Sequence, residues 1–474
     1  MLEYATLGVK IGLEIHRQVE SHKLFCQCTS ELREGKPDFT ARRELRAVMS
    51  EMGESDVVAE FEMAKGKYVV YEGFNENTCL VELDEEPIGL INDDALKAVL
   101  QVCKLLNMRI IDVVQVMRKQ VLDYSNTSSF QRTALVGVDG FVETNHGKVQ
   151  IQSVCIEEDA ARKMREDEEH VVYRLDRLGI PLIEIATAPD MRDPEQARDV
   201  AAHLGMVLKS TGTFKSGIGT IRQDLNVSIR GHPRVEIKGV QELRMIPLII
   251  EHEVARQVAN IAQKNARGEV RKANEDGSTS FLRPMPGAAR MYVETDHPSF
   301  SVGEMYAQVQ TPKLLTERTM DLEQRHCLSP HLARELLEKE AVALFESLAL
   351  RFKNVEPSFI AQVLVEMPKE IRTRLKGDVG TLQEKDFGFV LKHLNEGKIQ
   401  RGAVFEILSE LARGKMVNIE QYRGISNEKL EQEIKLLVEK ERGAPLNALM
   451  GIIMGKYRGA VDGKKVMALL KKYM

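Results

Sequence analysis

The sequence predicts an α+β protein. A mixed, largely antiparallel-sheet domain is expected over residues 1–302, a helical domain over 303–396 and a helical tail over 397–474. Three observations carry this. Apolar alternations of period two recur through the first three hundred residues without a regular strand–helix rhythm, which points to antiparallel pairing rather than βαβ units. After about Gly303 the apolar spacing becomes helical. Asn395-Glu396-Gly397 then breaks the helical region in two.

In chain order, Val9, Ile11, Leu13 and Ile15 share one face of a first strand, while Gly8, Lys10, Gly12, Glu14 and His16 share the other. Lys67 to Tyr71 and Cys79 to Leu83 read as strands around a polar turn. A helix follows, capped by Asn92 or Asp93, with Ala95, Ala98, Val99, Val102, Leu105 and Leu106 as its buried stripe. Val149 to Glu158 and Pro181 to Ala186 alternate as strands. Asp193 caps a second helix with Pro194 at its first position, stopping near Gly212. Ile221 to Ile229 turns at Gly231-His232-Pro233 into Val235 to Val240, a hairpin. A third helix runs from about Ile246 to Ala266, with Pro247 tolerated in its first turn. Pro330 to Phe352, Pro357 to Val365, Glu384 to Leu394, Asn427 to Lys440 and Val461 to Tyr473 have helical spacing.

The composition is that of an ordinary globular protein, with 43% hydrophobic and 29% charged residues among 474. No apolar run is long enough for a membrane span, and Met1-Leu2-Glu3-Tyr4 does not begin a signal peptide, so no membrane association and a cytoplasmic location are expected. Six scattered cysteines make no disulfide framework. The net charge of −5 hides an asymmetry: Lys398 to Met474 holds 15 Lys+Arg against 9 Asp+Glu. A basic end on an acidic body suits the gripping of a polyanion, though a solvated helical face has the same composition.

Glu14 and His16 are two residues apart on a strand, so their side chains project the same way roughly 6–7 Å apart. Alone, that fits a surface strand as well as a site. Glu184 lies between Ile183 and Ile185, and a carboxylate there is costly to bury unless a cation accompanies it. The strand Val154-Cys155-Ile156 ends in Glu157, Glu158 and Asp159. Taken together, these groups favour a divalent metal, Mg²⁺ or Mn²⁺, over isolated salt bridges. Thr213 to Thr220 is glycine-rich with Lys215. Arg222, Asp224 and Asn226 share a face that Glu236 and Lys238 can join across the hairpin. Arg283 to Asp296 is an ordered loop carrying Arg290. Each of these three also fits a solvated turn or hairpin. Cys26, Cys28 and Cys79 lack a fourth cysteine, Glu82 standing in its place, so a structural zinc is disfavoured.

The motifs together resemble the B and E subunits of tRNA-dependent amidotransferases over essentially the whole chain. They are Gly12-Leu13-Glu14-Ile15-His16, Phe25-Cys26-Gln27-Cys28, Glu157-Glu158-Asp159-Ala160, Pro181-Leu182-Ile183-Glu184-Ile185, Arg222 to Ser228, Val235-Glu236-Ile237-Lys238 and Arg290 to Glu294. Cys79 to Pro87, Asn126 to Thr133 and Lys238-Gly239-Val240-Gln241-Glu242-Leu243 look like the archaeal E-type chain. That chain carries an extra domain, similar to one of aspartyl-tRNA synthetases, for which there is no room between Glu251 and Arg283.

The resemblance implies ATP-dependent conversion of glutamate on tRNA(Gln) to glutamine through a γ-glutamyl phosphate. It assigns catalysis to Glu14, His16, Glu157 and Glu184. Metal binding falls to Glu14, His16, Glu157, Glu158 and Glu184. Phosphate and substrate contacts fall to Lys10, Arg222, Asp224, Asn226, Glu236, Lys238 and Arg290. Lys456, Arg458, Lys464, Lys465, Lys471 and Lys472 form a tRNA-binding tail. Ammonia is implied to come from a partner, an asparaginase-like D subunit, or an amidase A with a small C subunit if the chain is B-type. An ATP-dependent ligase for a free carboxylic acid and a non-catalytic tRNA-binding scaffold are the alternatives.

Overall fold

A computed structural model describes residues 3–44, 64, 66–121, 123–144, 146–217, 219–285, 291–375, 382–423, 427–441, 444–457, 461 and 463–473. Two compact units divide the chain, Met1–Leu314 and Leu315–Met474. Among the described residues no helix is long and apolar enough to cross a membrane.

The strands of the first unit are β1 (Lys10–Gln18), β2 (Phe39–Arg43), β3 (Tyr68–Gly73), β4 (Arg109–Ile110), β5 (Val113–Val114), β6 (Val116–Gln120), β7 (Phe130–Thr144) and β8 (Gly147–Glu158). They continue with β9 (Arg162–Glu166), β10 (His170–Arg174), β11 (Pro181–Thr187), β12 (Ile221–Ser228), β13 (Val235–Val240), β14 (Glu269–Ala273), β15 (Thr279–Pro284), β16 (Met291–Val293) and β17 (Phe300–Ser301). The main sheet runs β15-β14-β13-β12-β1-β11-β8-β7-β6-β16, with β4 on β7. Its pairs are antiparallel except β13 with β14. The α+β class and the mixed, largely antiparallel sheet therefore hold. A smaller sheet, β2-β3-β10-β9, packs around Tyr71, Tyr173 and Leu175.

One face of the main sheet is core. Val9, Ile11, Leu13 and Ile15 are at most 1% exposed and pack with Ile183, Ile185, Leu225, Val227 and Ile237. Helices Asp93–Leu105, Pro194–Ser210 and Ile246–Ala262 supply Val99, Leu204 and Ile250 to this cluster. Burying each such side chain stabilises by about 1.5–3 kcal/mol. Asn92 is the cap of the first helix, its Oδ1 accepting from Asp94 N and Ala95 N at 3.0 and 3.1 Å. Asp193 caps the second, with Pro194 just inside.

Three expectations change. Cys79 to Leu83 forms a turn, because the Glu82 carboxylate folds back to accept Cys79 N at 2.7 Å and Asp84 adopts φ 56°. The helix expected over Pro330 to Phe352 breaks into Pro330–Glu338 and Val342–Arg351, with Glu340 at φ 54° and Ala341 N returning to Leu336 O. The domain limits move as well. Helix Gly303–Gln308 packs Met305 and Tyr306 on the first core, so the division falls after Leu314 and not at 302. Helix Arg401–Ala412 lends Val404 and Ile407 to the core of Leu336, Phe345, Ile360 and Val390, so the limit at 397 is displaced. A separate tail core is Leu430, Ile434, Leu449, Ile453, Val466 and Leu470, from helices Asn427–Lys440, Leu446–Lys456 and Gly463–Tyr473.

Candidate active site

The second face of the main sheet is polar, and register alone sets its row of side chains. His16 on β1 stands opposite Glu184 on β11 and Arg222 on β12. Glu14 faces Asp224, and Asn226 faces Glu236 on β13. Thr133 on β7 faces Glu157 on β8, and Lys119 on β6 faces Gln131. Strands that are apolar on one side thus aim acids and bases from the other into a cavity of about 950 Å³.

Two acidic clusters lie in this row. In the first, ligand atoms of His16, Glu157 and Glu184 fall within 4.8 Å of one another. His16 Nε2 is 3.2 Å from Glu184 Oε2. Lys119 Nζ donates to Glu157 Oε1 and Glu184 Oε2, both at 3.2 Å. Thr133 Oγ1 and Gln131 Nε2 donate to Glu157 at 2.9 and 3.1 Å. In the second, Glu14, Asp224 and Glu236 fall within 4.8 Å of one another. Lys238 Nζ reaches Asp224 at 3.0 Å and Glu236 at 2.7 Å, and Asn226 Nδ2 donates to Glu14 at 2.9 Å.

The carboxylates of this face differ in their electrostatics. Burial, then the charges of Glu184 and Glu236, push the Glu14 carboxyl up. Burial and the charge of Glu184 push Glu157 up too. Burial also opposes charge on Glu184, but His16 and Lys119 outweigh it and hold that carboxyl well below the usual range. For His16, burial lowers the pKa, and Glu184, Glu157 and Asp224 more than offset it, so the imidazole is raised. Asp159 is buried, yet Arg222 at 2.7 Å, with Arg177 and Gln18, keeps it ionised below the ordinary range. Carboxylate oxygens with one imidazole suit a hard divalent cation such as Mg²⁺ or Mn²⁺, so His16, Glu157 and Glu184, and separately Glu14, Asp224 and Glu236, fit one by donor chemistry.

Several expected residues lie elsewhere. Glu158 does not join the cavity-facing row: period two sends it to the opposite face from Glu157, where Arg132 Nη1 donates to it at 3.2 Å. Arg132 Nε also donates to Glu294 at 2.8 Å, and Arg118 pairs with Glu294. Lys10 shares the face of Glu14 but sits at the exposed start of β1, outside the cavity lining. Lys215 turns away to the Ser30 carbonyl. Arg290 and Arg458 lie outside the described residues, as does the Lys464 side chain. In the tail, Lys456 pairs with Glu433 at 2.6 Å and Lys472 with Glu431 at 3.1 Å, while Lys465 and Lys471 are exposed.

Sequence reasoning passed over Lys119, Gln131 and Thr133, because nothing in Val116 to Gln120 distinguishes a cavity strand from an edge strand. Cys26, Cys28, Cys79 and Glu82 come together, their ligand atoms within 4.8 Å of one another. Hydrogen bonding with Cys26 lowers the Cys28 thiol to about 7, while burial raises Cys79 to about 11. This donor set is more favourable to a four-coordinate cation than the spacing alone implied.

Residues 9–308 match the model of the GatB/GatE catalytic domain. The chain is 34% identical to the E subunit of the glutamyl-tRNA(Gln) amidotransferase of Methanocaldococcus jannaschii, over 99% of each chain. Identity to the corresponding protein of Archaeoglobus fulgidus is 35%, over 100% of this chain and 99% of the relative. For that of Sulfurisphaera tokodaii it is 33%, over 100% and 99%. These alignments run over 624, 613 and 631 positions, so each relative carries many residues with no counterpart among the 474 here. With its polar sheet face lying wholly within the matched segment, the chain belongs to the GatB/GatE family.

Proposed function

We propose that the chain is the E-type component that amidates glutamate esterified to tRNA(Gln), using ATP and ammonia. The observation that carries this reading is the pairing of two acidic clusters with lysine and arginine on one cavity wall. A carboxylate is a poor electrophile because its leaving group would be oxide. Transfer of the γ-phosphoryl of ATP to a γ-carboxylate oxygen, with release of ADP, makes phosphate the leaving group. Ammonia then attacks the acyl carbon, the carbon–oxygen bond breaks, phosphate departs and a proton is lost from nitrogen.

Phosphoryl transfer is mostly positioning and charge neutralisation. A divalent ion held there would supply positive charge to neutralise phosphate oxygens. His16, Glu157 and Glu184 would hold one such ion, and Glu14, Asp224 and Glu236 a second. Arg222, fixed by Asp159, and Lys238, fixed by Asp224 and Glu236, present positive charge to the same space. The names of the relatives favour the E branch, for which an asparaginase-like partner supplies ammonia. The basic tail residues hold the tRNA backbone.

The test is the complex purified with its native partner and assayed on tRNA(Gln) charged with glutamate and tRNA(Asn) charged with aspartate. Glutamate labelled with ¹⁸O in its γ-carboxylate should deliver one label to inorganic phosphate for each glutamine formed. Amide formation without ATP, or phosphate free of label, would overturn the reading.

A further inference from the structure

The Lys119 amine stands at the centre of the first acidic cluster. Its Nζ is 3.2 Å from Glu157 Oε1 and 3.2 Å from Glu184 Oε2, and the latter oxygen is also 3.2 Å from His16 Nε2. β7 lies between β6 and β8, and β7 and β8 lie between β6 and β11, so the contact with Glu157 spans one intervening strand and that with Glu184 spans two. A cation coordinated by Glu157 Oε1 and Glu184 Oε2 would compete with Nζ for the same two oxygens.

We propose that Lys119 is a positioning residue that shares this seat with the divalent ion. Its ammonium holds Glu157 and Glu184 together and yields when the ion enters, turning its charge toward phosphate in the cavity. This rests on the reading that the cluster holds a divalent ion.

Three features support it. Two buried carboxylates this close repel unless positive charge accompanies them; His16 contacts Glu184, and among the described residues Lys119 donates to both. An ammonium on a flexible stem makes point contacts and can withdraw, and the Lys119 side chain is 32% exposed at the cavity. The second cluster repeats the plan, with Lys238 between Asp224 and Glu236.

Mn²⁺ titration of the full chain, with free ion followed by electron paramagnetic resonance, tests this. K119M should bind Mn²⁺ about tenfold or more tightly than wild type, because a neighbouring positive charge no longer opposes the ion. K119Q guards against a folding defect in K119M and should behave alike, while K119R should bind no more tightly than wild type. The thermal midpoint of K119M should fall in the presence of chelator and recover with Mn²⁺. Unchanged or weaker Mn²⁺ affinity in K119M and K119Q, or tighter binding by K119R, would overturn the proposal. Failure of wild type to bind Mn²⁺, or equal binding by E184Q, would instead remove the divalent-ion reading, and the proposal with it.

Discussion

His16 Nε2 and Glu184 Oε2 approach to 3.2 Å across 168 residues of chain. The contact follows from antiparallel register, since β1 and β11 place the two residues directly opposite. Glu184→Gln keeps the shape but removes the charge that holds the imidazole of His16 and the ammonium of Lys119 together. It should lower amide formation by roughly 100-fold or more, with tRNA affinity unchanged in filter binding. His16→Ala should act alike. Loss of tRNA binding in step with activity would place both residues in a scaffold.

Glu157 and Glu158 are adjacent, yet their substitutions should have opposite signatures. Glu158→Gln takes a charged partner from buried Arg132 and should lower stability in urea unfolding, leaving Mn²⁺ affinity near wild type. Glu157→Gln should lose Mn²⁺ affinity with little cost in stability, since it removes a buried charge and with it the repulsion from Glu184.

Glu294 gives a pH signature away from the acidic clusters. Burial opposes its charge, but Arg118 and Arg132 hold its carboxyl at about 2, below an ordinary 4.5. A depressed carboxyl contributes stability that is present above its unfolded pKa and lost as pH falls through the folded one. Wild type should therefore lose this contribution between pH 4.5 and 2. Glu294→Gln should be less stable at pH 6 and converge on wild type toward about pH 2. Denaturant melts across that range measure it; parallel curves would sink the assignment.

A chain ending at Arg423 keeps the core of Val404 and Ile407 and removes the separate tail core. It should stay folded, bind tRNA more weakly and show a shallower dependence of affinity on salt. A chain ending at Gly397 strips Ile399, Ala403, Val404, Ile407 and Leu408 from a shared core and should unfold at lower temperature. Within the tail, Lys471→Ala should reduce affinity more than Lys456→Ala, because Lys456 is already paired with Glu433.

The elements legible in the sequence were those whose pattern is local. β1, β11 and the β12–β13 hairpin announce themselves by alternation, and the helices after Asn92 and Asp193 by their caps. His16, Glu14 and Glu184 were legible because each is a polar residue in an apolar strand. What could not be read depends on distant partners. Lys119 enters the cavity only through the β6–β7 and β7–β8 registers. Glu158 looked equivalent to Glu157 until a strand fixed which side each faces. The turn at Cys79 is set by a side chain closing on its own backbone, and the break at Glu340 by a left-handed residue that apolar spacing does not reveal.

β8 therefore ends in two consecutive carboxylates with different duties. One looks into the cavity, and the other is fastened through Arg132 to Glu294, just beyond the outermost strand β16. One step along the chain separates a cavity-lining carboxylate from the tie that moors the sheet's far margin.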